Sequence, residues 1–247
     1  MKNSIFSKNL ITILIIFSVY NNSYAQKNEN IIVFSKTTGY RHQSIEAGIL
    51  SIKKLGKEHH FNVKTTENSD VLISNLKDCK VVVFLNTTGD IFNNAQQKAF
   101  KKFITKGGGF VGIHAATDTE NDWHWYNLLV GAYFESHPDP QEAIINVLDK
   151  SHLATSFLDD KWIKFDEWYN FKNINPNINI LMSLDESTYK GGENGENHPI
   201  AWFHKYKKGH AFYTGLGHNE ESYSDKIFLK HILGGIRYAM GKGHSFK

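Results

Sequence analysis

Residues 107–118 read GGGFVGIHAATD, and this stretch predicts both the fold and a functional position. A short apolar run, 110–113, follows a row of glycines. A histidine and then two small residues come directly after the run. This pattern is typical of a buried parallel strand that ends in a sharp turn into a helix. Small residues are needed there because bulky neighbours would collide in so tight a turn. The exposed position of the turn carries His114, so we expect this histidine to lie in a functional site.

The first half of the chain alternates between strand and helix patterns. We predict strands at 31–35, 61–65, 80–85 and 110–113, with amphipathic helices between them. Ser44 is the predicted N-cap of the first helix. This order favours an α/β fold with a mostly parallel sheet and right-handed crossovers. Such sheets bind ligands at the carboxyl ends of their strands. The loops 36–42, 86–90 and 114–118 should therefore meet at one edge.

The second half is less regular. We predict strands at 143–148 and 178–184, a hairpin around 207–209 and a closing helix at 225–240. No repeat, low-complexity tract or linker separates the two halves. We therefore expect 26–247 to form a single domain with its core at about 31–240.

Residues 1–25 have the pattern of a secretory signal peptide. Lys2 and Lys8 precede an apolar run at 10–19, and Ser23-Tyr24-Ala25 predicts cleavage before Gln26. The run is too short for a comfortable membrane span. We expect a periplasmic or secreted protein with no stable membrane span after cleavage.

Composition limits the other classes of function. The net charge is +3, and no Lys/Arg-rich block stands alone, so we expect no nucleic-acid partner. Cys79 is the one cysteine, which excludes an internal disulfide, and its position just before a strand favours a buried residue over a nucleophile.

Histidines and carboxylates near the predicted strand ends are the candidate catalytic residues. A carboxylate next to a histidine fixes its tautomer and stabilises the imidazolium, so such pairs suit acid–base catalysis. The candidates are His114, His218, Glu220, Asp118 and Glu167. We expect His114 or His218 to be the base, oriented by Glu220 or Asp118. Each residue could instead have a structural role.

Polar loop residues and aromatic side chains are the candidate substrate-binding groups. Aromatic faces can stack on sugars, although they also fill cores. The candidates are Tyr40, Arg41, His42, Thr88, Asp90, Trp123 and Trp168.

A divalent metal is the alternative use of these histidines. Two or three imidazoles and a carboxylate would suit zinc or manganese. No His-x-x-x-His or Cys-x-x-Cys pair is present, so the sequence does not specify the ligands.

Several motifs in order resemble the ThuA-like (trehalose utilisation) family over about 31–240. They are 38–42 (TGYRH), 86–90 (NTTGD), 107–118, 131–138 (GAYFESHP), 166–169 (DEWY) and 213–218 (YTGLGH). The resemblance implies the fold of the class I glutamine amidotransferase superfamily, a flavodoxin-like three-layer sandwich. Amidotransferases carry a cysteine at the elbow, where this chain has His114, so we expect no glutaminase activity.

The resemblance also implies carbohydrate metabolism. Its leading interpretation is an enzyme, a hydrolase, lyase or isomerase, that acts on a glycoside or 3-keto-glycoside by acid–base chemistry. The expected partner is a small carbohydrate. The alternative is a carbohydrate-binding or accessory protein without turnover. A hydrolase with paired carboxylates, drawn from Asp90, Asp166 and Glu167, also remains open.

Overall fold

The computed structural model describes residues 29–243. The predicted signal peptide, 1–25, lies outside this range. Within it, no helix combines the length and apolar character needed to cross a membrane.

The described residues form eleven strands and five α-helices. The strands are β1 (Glu29–Phe34), β2 (Phe61–Thr66), β3 (Val81–Leu85), β4 (Gly109–Ile113), β5 (Tyr133–Ser136), β6 (Gln141–Val147), β7 (Lys161–Asp166), β8 (Asn170–Lys172), β9 (Asn179–Leu184), β10 (Pro199–Tyr206) and β11 (Gly209–Thr214). The helices are α1 (Ile45–Glu58), α2 (Ser69–Asn75), α3 (Asn94–Thr105), α4 (His124–Val130) and α5 (Lys226–Ala239).

Nine of these strands form one mixed sheet in the order β2-β1-β3-β4-β11-β10-β9-β6-β7. The first five are parallel, whereas the pairs from β11 onward are antiparallel. The predicted α/β fold with a large parallel sheet is confirmed, but antiparallel strands extend it. β5 and β8 form a separate antiparallel pair. The three-layer, flavodoxin-like detail and the single domain stay predictions.

Aromatic side chains fill the core beside the parallel strands. Phe84 on β3 contacts the rings of Phe34, Phe100 and Phe110, with centroids 5.2–5.5 Å apart. Phe84 and its three partners are fully buried. Much of the aromatic content therefore stabilises the fold by removing apolar surface from water.

Helix starts differ in how they are capped. Asn93 and Gln96 form a reciprocal capping box at α3. Ser44 precedes α1 as predicted, but its side chain makes no capping bond. Its hydroxyl donates to the carbonyl of Gly217 instead, at 3.1 Å. Ser44 thereby connects the first loop to the loop after β11.

His231 on α5 is a buried histidine outside the strand-end loops. Its Nδ1–H donates to the carbonyl of Ala154 at 2.8 Å. Its Nε2 has no hydrogen-bond partner within the described range. Burial lowers the pKa of His231 from 6.5 to about 4, so the folded protein holds the ring neutral.

We predict that His231 makes the fold sensitive to acid. Because its pKa is about 4 when folded and 6.5 when unfolded, its contribution is complete above pH 6.5 and is lost as the pH falls toward 4. His231→Asn keeps a donor for Ala154 but does not titrate. The free energy of unfolding, measured with urea, should fall between pH 7 and pH 4.5 in the wild-type protein. The fall in His231→Asn should be smaller than the wild-type fall by at most about 3 kcal/mol. His60→Asn, at an exposed position, is the control and should show the same fall in the free energy of unfolding as the wild-type protein. An equal fall in all three proteins would refute the prediction.

Candidate functional site

His114 lies at a sharp turn directly after β4. Its φ of +48° is unusual for a residue with a side chain. Ala115 and Ala116 follow it, and the turn is so close that a Cβ on Gly112 would lie 3.1 Å from the Cβ of Ala116. The hydroxyl of Tyr213 donates to the His114 carbonyl at 2.8 Å and helps to hold this conformation.

The imidazole of His114 is fully buried, and its tautomer is set by the backbone. Nδ1 lies 2.8 Å from the carbonyl oxygen of Gly215. A carbonyl can only accept, so Nδ1 carries the proton and donates it. In the neutral ring, Nε2 therefore presents a lone pair to the interior of the site.

The carboxylate of Glu167 lies between three histidines. Its Oε2 is 3.3 Å from His114 Nε2 and 3.1 Å from His218 Nδ1. Its Oε1 is 3.2 Å from Nδ1 of His137. His218 Nδ1 is also 3.3 Å from His114 Nε2. Glu167 and His114 are buried, while His137 and His218 border the surface.

His42 from the first loop completes this group. Its ring stands edge-on to those of His114 and His218, with centroids 4.9 and 5.3 Å apart. Each of His42, His114, Glu167 and His218 offers one ligand atom within 4.8 Å of the others. We call these four residues the histidine–glutamate cluster. Their atom types are those of a divalent transition-metal site.

The cluster is electrostatically coupled. Burial, and then the neighbouring His114 and His218, lower the pKa of His42 to about 3. Burial alone would raise the pKa of Glu167, but the adjacent His114 and His218 imidazoles, which bond to its carboxylate when they are protonated, hold it well below its usual range. Burial would lower the pKa of His218, yet the hydrogen bond and charge of Glu167 raise it. An ionised Glu167 beside a readily protonated His218 is the favoured state.

Asp166 fixes the positions of these groups without joining the cluster. It is fully buried. Its Oδ1 accepts from the backbone N–H of Glu167 at 2.9 Å and of His218 at 3.1 Å, and its Oδ2 accepts from Gly217 N–H at 2.9 Å. Asp166 thus ties the Glu167 segment to the His218 loop.

The loop that carries His218 is also fixed from the other side. The carbonyl of Gly217 accepts from Ser44 Oγ at 3.1 Å and from Tyr223 Oη at 3.2 Å. Gly217 has a φ of +110°, and a Cβ there would lie 2.8 Å from the hydroxyl of Tyr223. Only glycine fits this position without strain.

The structure brings His114, His218 and Glu167 together, whereas the two other catalytic candidates lie apart from the cluster. Glu220 begins a short 3₁₀ helix and is exposed. The Asp118 carboxylate accepts from Asn121 Nδ2 at 3.4 Å. The sequence predicts Glu220 or Asp118 as the carboxylate partner of the histidines. The carboxylate that contacts His114 and His218 is instead that of Glu167.

The substrate-binding candidates of the first loop differ in placement. His42 joins the cluster. The exposed ring of Tyr40 packs edge-on against His42, at 4.9 Å between centroids. Arg41 points elsewhere and forms ion pairs with Glu46 and Glu67, at 2.9 and 2.7 Å.

Two further candidates connect loops instead of facing the cluster. Thr88 is buried, and its hydroxyl donates to the carbonyl of Tyr40 at 2.9 Å. Asp90 is exposed, and its carbonyl accepts from Thr38 Oγ1 at 3.2 Å.

Neither tryptophan candidate joins the cluster. Trp168 is fully buried and donates from Nε1 to the carbonyl of Gln141 at 2.8 Å. Trp123 packs on Trp125, at 4.7 Å between centroids. The ring of Tyr169 does contact the cluster, with its centroid 4.2 Å from that of His114.

Two residues at the site were missed from the sequence as functional groups. His137 lies in the 131–138 motif but is not among the candidate residues, and Asp166 is a candidate only for a hydrolase with paired carboxylates. Both residues lie in motifs that carry the family resemblance, 131–138 and 166–169. Sequence spacing alone does not indicate that these two motifs meet in the structure.

Together, the mixed sheet and the strand-end cluster define an α/β protein with a buried histidine–carboxylate centre. The family model for ThuA, described as trehalose utilisation, matches residues 30–239. The chain therefore belongs to the ThuA family.

Solved structures share this fold. A ThuA-like protein from Bacteroides uniformis ATCC 8492 is 23% identical with a TM-score of 0.73, and the match covers 89% of this chain and 95% of that one. A ThuA-like protein from Parabacteroides merdae ATCC 43184 is 20% identical with a TM-score of 0.75, covering 90% and 93%. A β-galactosidase from Bacillus circulans sp. alkalophilus is 12% identical, with a TM-score of 0.58, over 32% of its chain. These likenesses show the fold alone. A search of curated proteins finds no significant match.

We predict that Asp166→Asn destabilises the protein. The asparagine amide group would turn donors toward backbone N–H groups that now donate to the carboxylate. The free energy of unfolding in urea should fall by about 2–3 kcal/mol. Asp185→Asn is the matched control, because Asp185 accepts from Ser187 in a surface turn that asparagine also favours. An equal loss in both variants would contradict the assigned role of Asp166.

Proposed function

We propose that this protein is an exported enzyme that acts on a glycoside or 3-keto-glycoside by histidine–carboxylate acid–base chemistry. The single observation that carries the proposal is the buried Glu167 carboxylate, shared by His114, His218 and His137. A binding protein needs hydrogen bonds to sugar hydroxyls but has no need of a buried, coupled group of this kind. Membership of a family described as trehalose utilisation supports a sugar substrate.

His137 is the proposed base. Its side chain is 42% exposed, compared with 22% for His218 and 0% for His114. Its Nδ1 lies 3.2 Å from Glu167 Oε1 and 3.1 Å from the carbonyl of Pro138. Both of these atoms accept, so Nδ1 carries the proton and Nε2 keeps its lone pair. A carboxylate that fixes the tautomer of an exposed imidazole is an arrangement suited to proton transfer.

A 3-keto group would make this chemistry accessible. The ketone acidifies the neighbouring C2–H, so one base and one group that stabilises the enolate oxygen are sufficient. His137 Nε2 takes the C2 proton and the electron pair forms the enolate. The enolate then collapses, the bond from C1 to the leaving oxygen breaks, and that oxygen receives the proton that His137 took from C2. Water can later add across the new C1–C2 double bond.

The nucleophilic chemistry of glutamine amidotransferases has no basis in these residues. The elbow position holds His114, and the one cysteine, Cys79, precedes β3 at the opposite end of the sheet. Burial raises the pKa of the Cys79 thiol to about 12, so it is not a thiolate nucleophile at neutral pH.

We predict that the purified protein converts a disaccharide or its 3-keto derivative, and that His137→Ala lowers kcat by about 10²–10⁴-fold. Glu167→Gln should lower kcat as well, because it removes the charge that orients His137. Products from a panel that includes trehalose and 3-keto-trehalose would be followed by mass spectrometry. Exposed His124→Ala on α4 is the matched control and should retain wild-type turnover.

A different outcome would identify a binding protein. In that case no sugar of the panel would be turned over, saturable binding would be seen by calorimetry, and His137→Ala would change only the affinity. Turnover that survives in Glu167→Gln would place the reaction elsewhere on the protein.

A further inference from the structure

The inner face of the histidine–glutamate cluster brings lone pairs together. His114 Nε2 carries a lone pair because Nδ1 donates to Gly215. Glu167 Oε2 lies 3.3 Å from that nitrogen, and His218 Nδ1 lies within 3.3 Å of both atoms. A neutral His218 has a single Nδ1–H, which cannot satisfy both neighbours fully. Acceptors packed this closely repel one another unless a shared proton or a metal ion lies between them.

The spacing of these atoms fits a metal ion. Donors bound tetrahedrally to zinc at about 2.0–2.1 Å are separated from one another by about 3.3–3.4 Å. The three separations between His114 Nε2, His218 Nδ1 and Glu167 Oε2 are 3.1, 3.3 and 3.3 Å. They therefore form approximately one face of a tetrahedral site.

His42 provides a second, independent observation. Only 4% of this residue is exposed, and its Nδ1 has no hydrogen-bond partner within residues 29–243. Leaving such a nitrogen unpaired in the interior is unfavourable. One ring nitrogen of His42 lies within 4.8 Å of the ligand atoms of the other three residues, so this ring is close enough to contribute a fourth ligand.

We infer that His42, His114, His218 and Glu167 bind one divalent transition-metal ion of the zinc class. Imidazole nitrogens with one carboxylate oxygen are ligands that suit Zn²⁺ and also accept Co²⁺ or Mn²⁺. The role of the ion as a cofactor rests on the proposed function, in which the ion would stabilise the enolate oxygen. The binding itself does not depend on turnover.

The surroundings of the cluster support this assignment. The Gly215 carbonyl orients His114, and Asp166 holds the backbone of both Glu167 and His218. Metal-binding histidines usually donate their second ring N–H to such a carbonyl or carboxylate. The ligands thus come from four separate segments, which explains why the sequence contains no compact metal-binding motif.

The test is cobalt binding to chelator-stripped protein. We expect one Co²⁺ per chain by elemental analysis, with the visible absorption of a four- or five-coordinate site. His42→Ala and Glu167→Gln should each weaken binding by more than about a hundredfold, and Asp166→Asn by about tenfold to a hundredfold. Exposed His124→Ala is the matched control and should bind normally. Circular dichroism checks that each variant is folded.

X-ray absorption of the zinc-loaded wild-type protein keeps the inference testable if a variant does not fold. A nitrogen/oxygen shell at about 2.0–2.1 Å with imidazole scattering is expected. Binding unchanged in His42→Ala and Glu167→Gln, or a shell without imidazole, would overturn the metal site. Full turnover by metal-free protein would leave the proposed function intact and reject the ion as its cofactor. Stoichiometric metal binding without turnover of any sugar would leave the metal site intact and reject the proposed function.

Discussion

The carboxylate of Asp166 is the interaction on which the site depends. It accepts three backbone N–H groups, from Glu167, Gly217 and His218, within 2.9–3.1 Å. A buried carboxylate is costly unless such bonds compensate for its lost hydration. Here these bonds also hold two chain segments that are about fifty positions apart in sequence. Without them, Glu167 would have no fixed relation to His218.

This constraint matters because the two segments belong to different parts of the sheet. His114 and His218 follow β4 and β11, which are parallel neighbours in its centre. Glu167 follows β7, which lies at the far antiparallel edge. The chain must return from that edge toward the central strands to place Glu167 beside the histidines. Asp166, the last residue of β7, is where this return is fixed.

The same division explains what the sequence could predict. Apolar runs predict the first four parallel strands, and their parallel topology places His42 and His114 at one edge. The strand before His218 is predicted only as part of a hairpin, and its parallel pairing with β4 is seen in the structure alone. Proximity in sequence favours Glu220 or Asp118 as the carboxylate partner of the histidines, but the partner is Glu167, which a long-range return of the chain brings to them. Trp168 was expected in the site, whereas the DEWY motif turns it into the core and leaves Tyr169 against His114. Sequence spacing carries no information on such directions.

The histidine at the elbow shows how the fold and the chemistry are linked. A φ of +48° costs a residue with a side chain of order 1–3 kcal/mol, so the neighbouring structure must hold it in place. Gly215 fixes its ring, and Tyr213 fixes its carbonyl. In this strained conformation, Nε2 of His114 faces Glu167. In a relaxed loop, the same nitrogen could face solvent instead. The turn that presents a nucleophile in other α/β proteins therefore serves here to place an oriented imidazole beside a buried carboxylate.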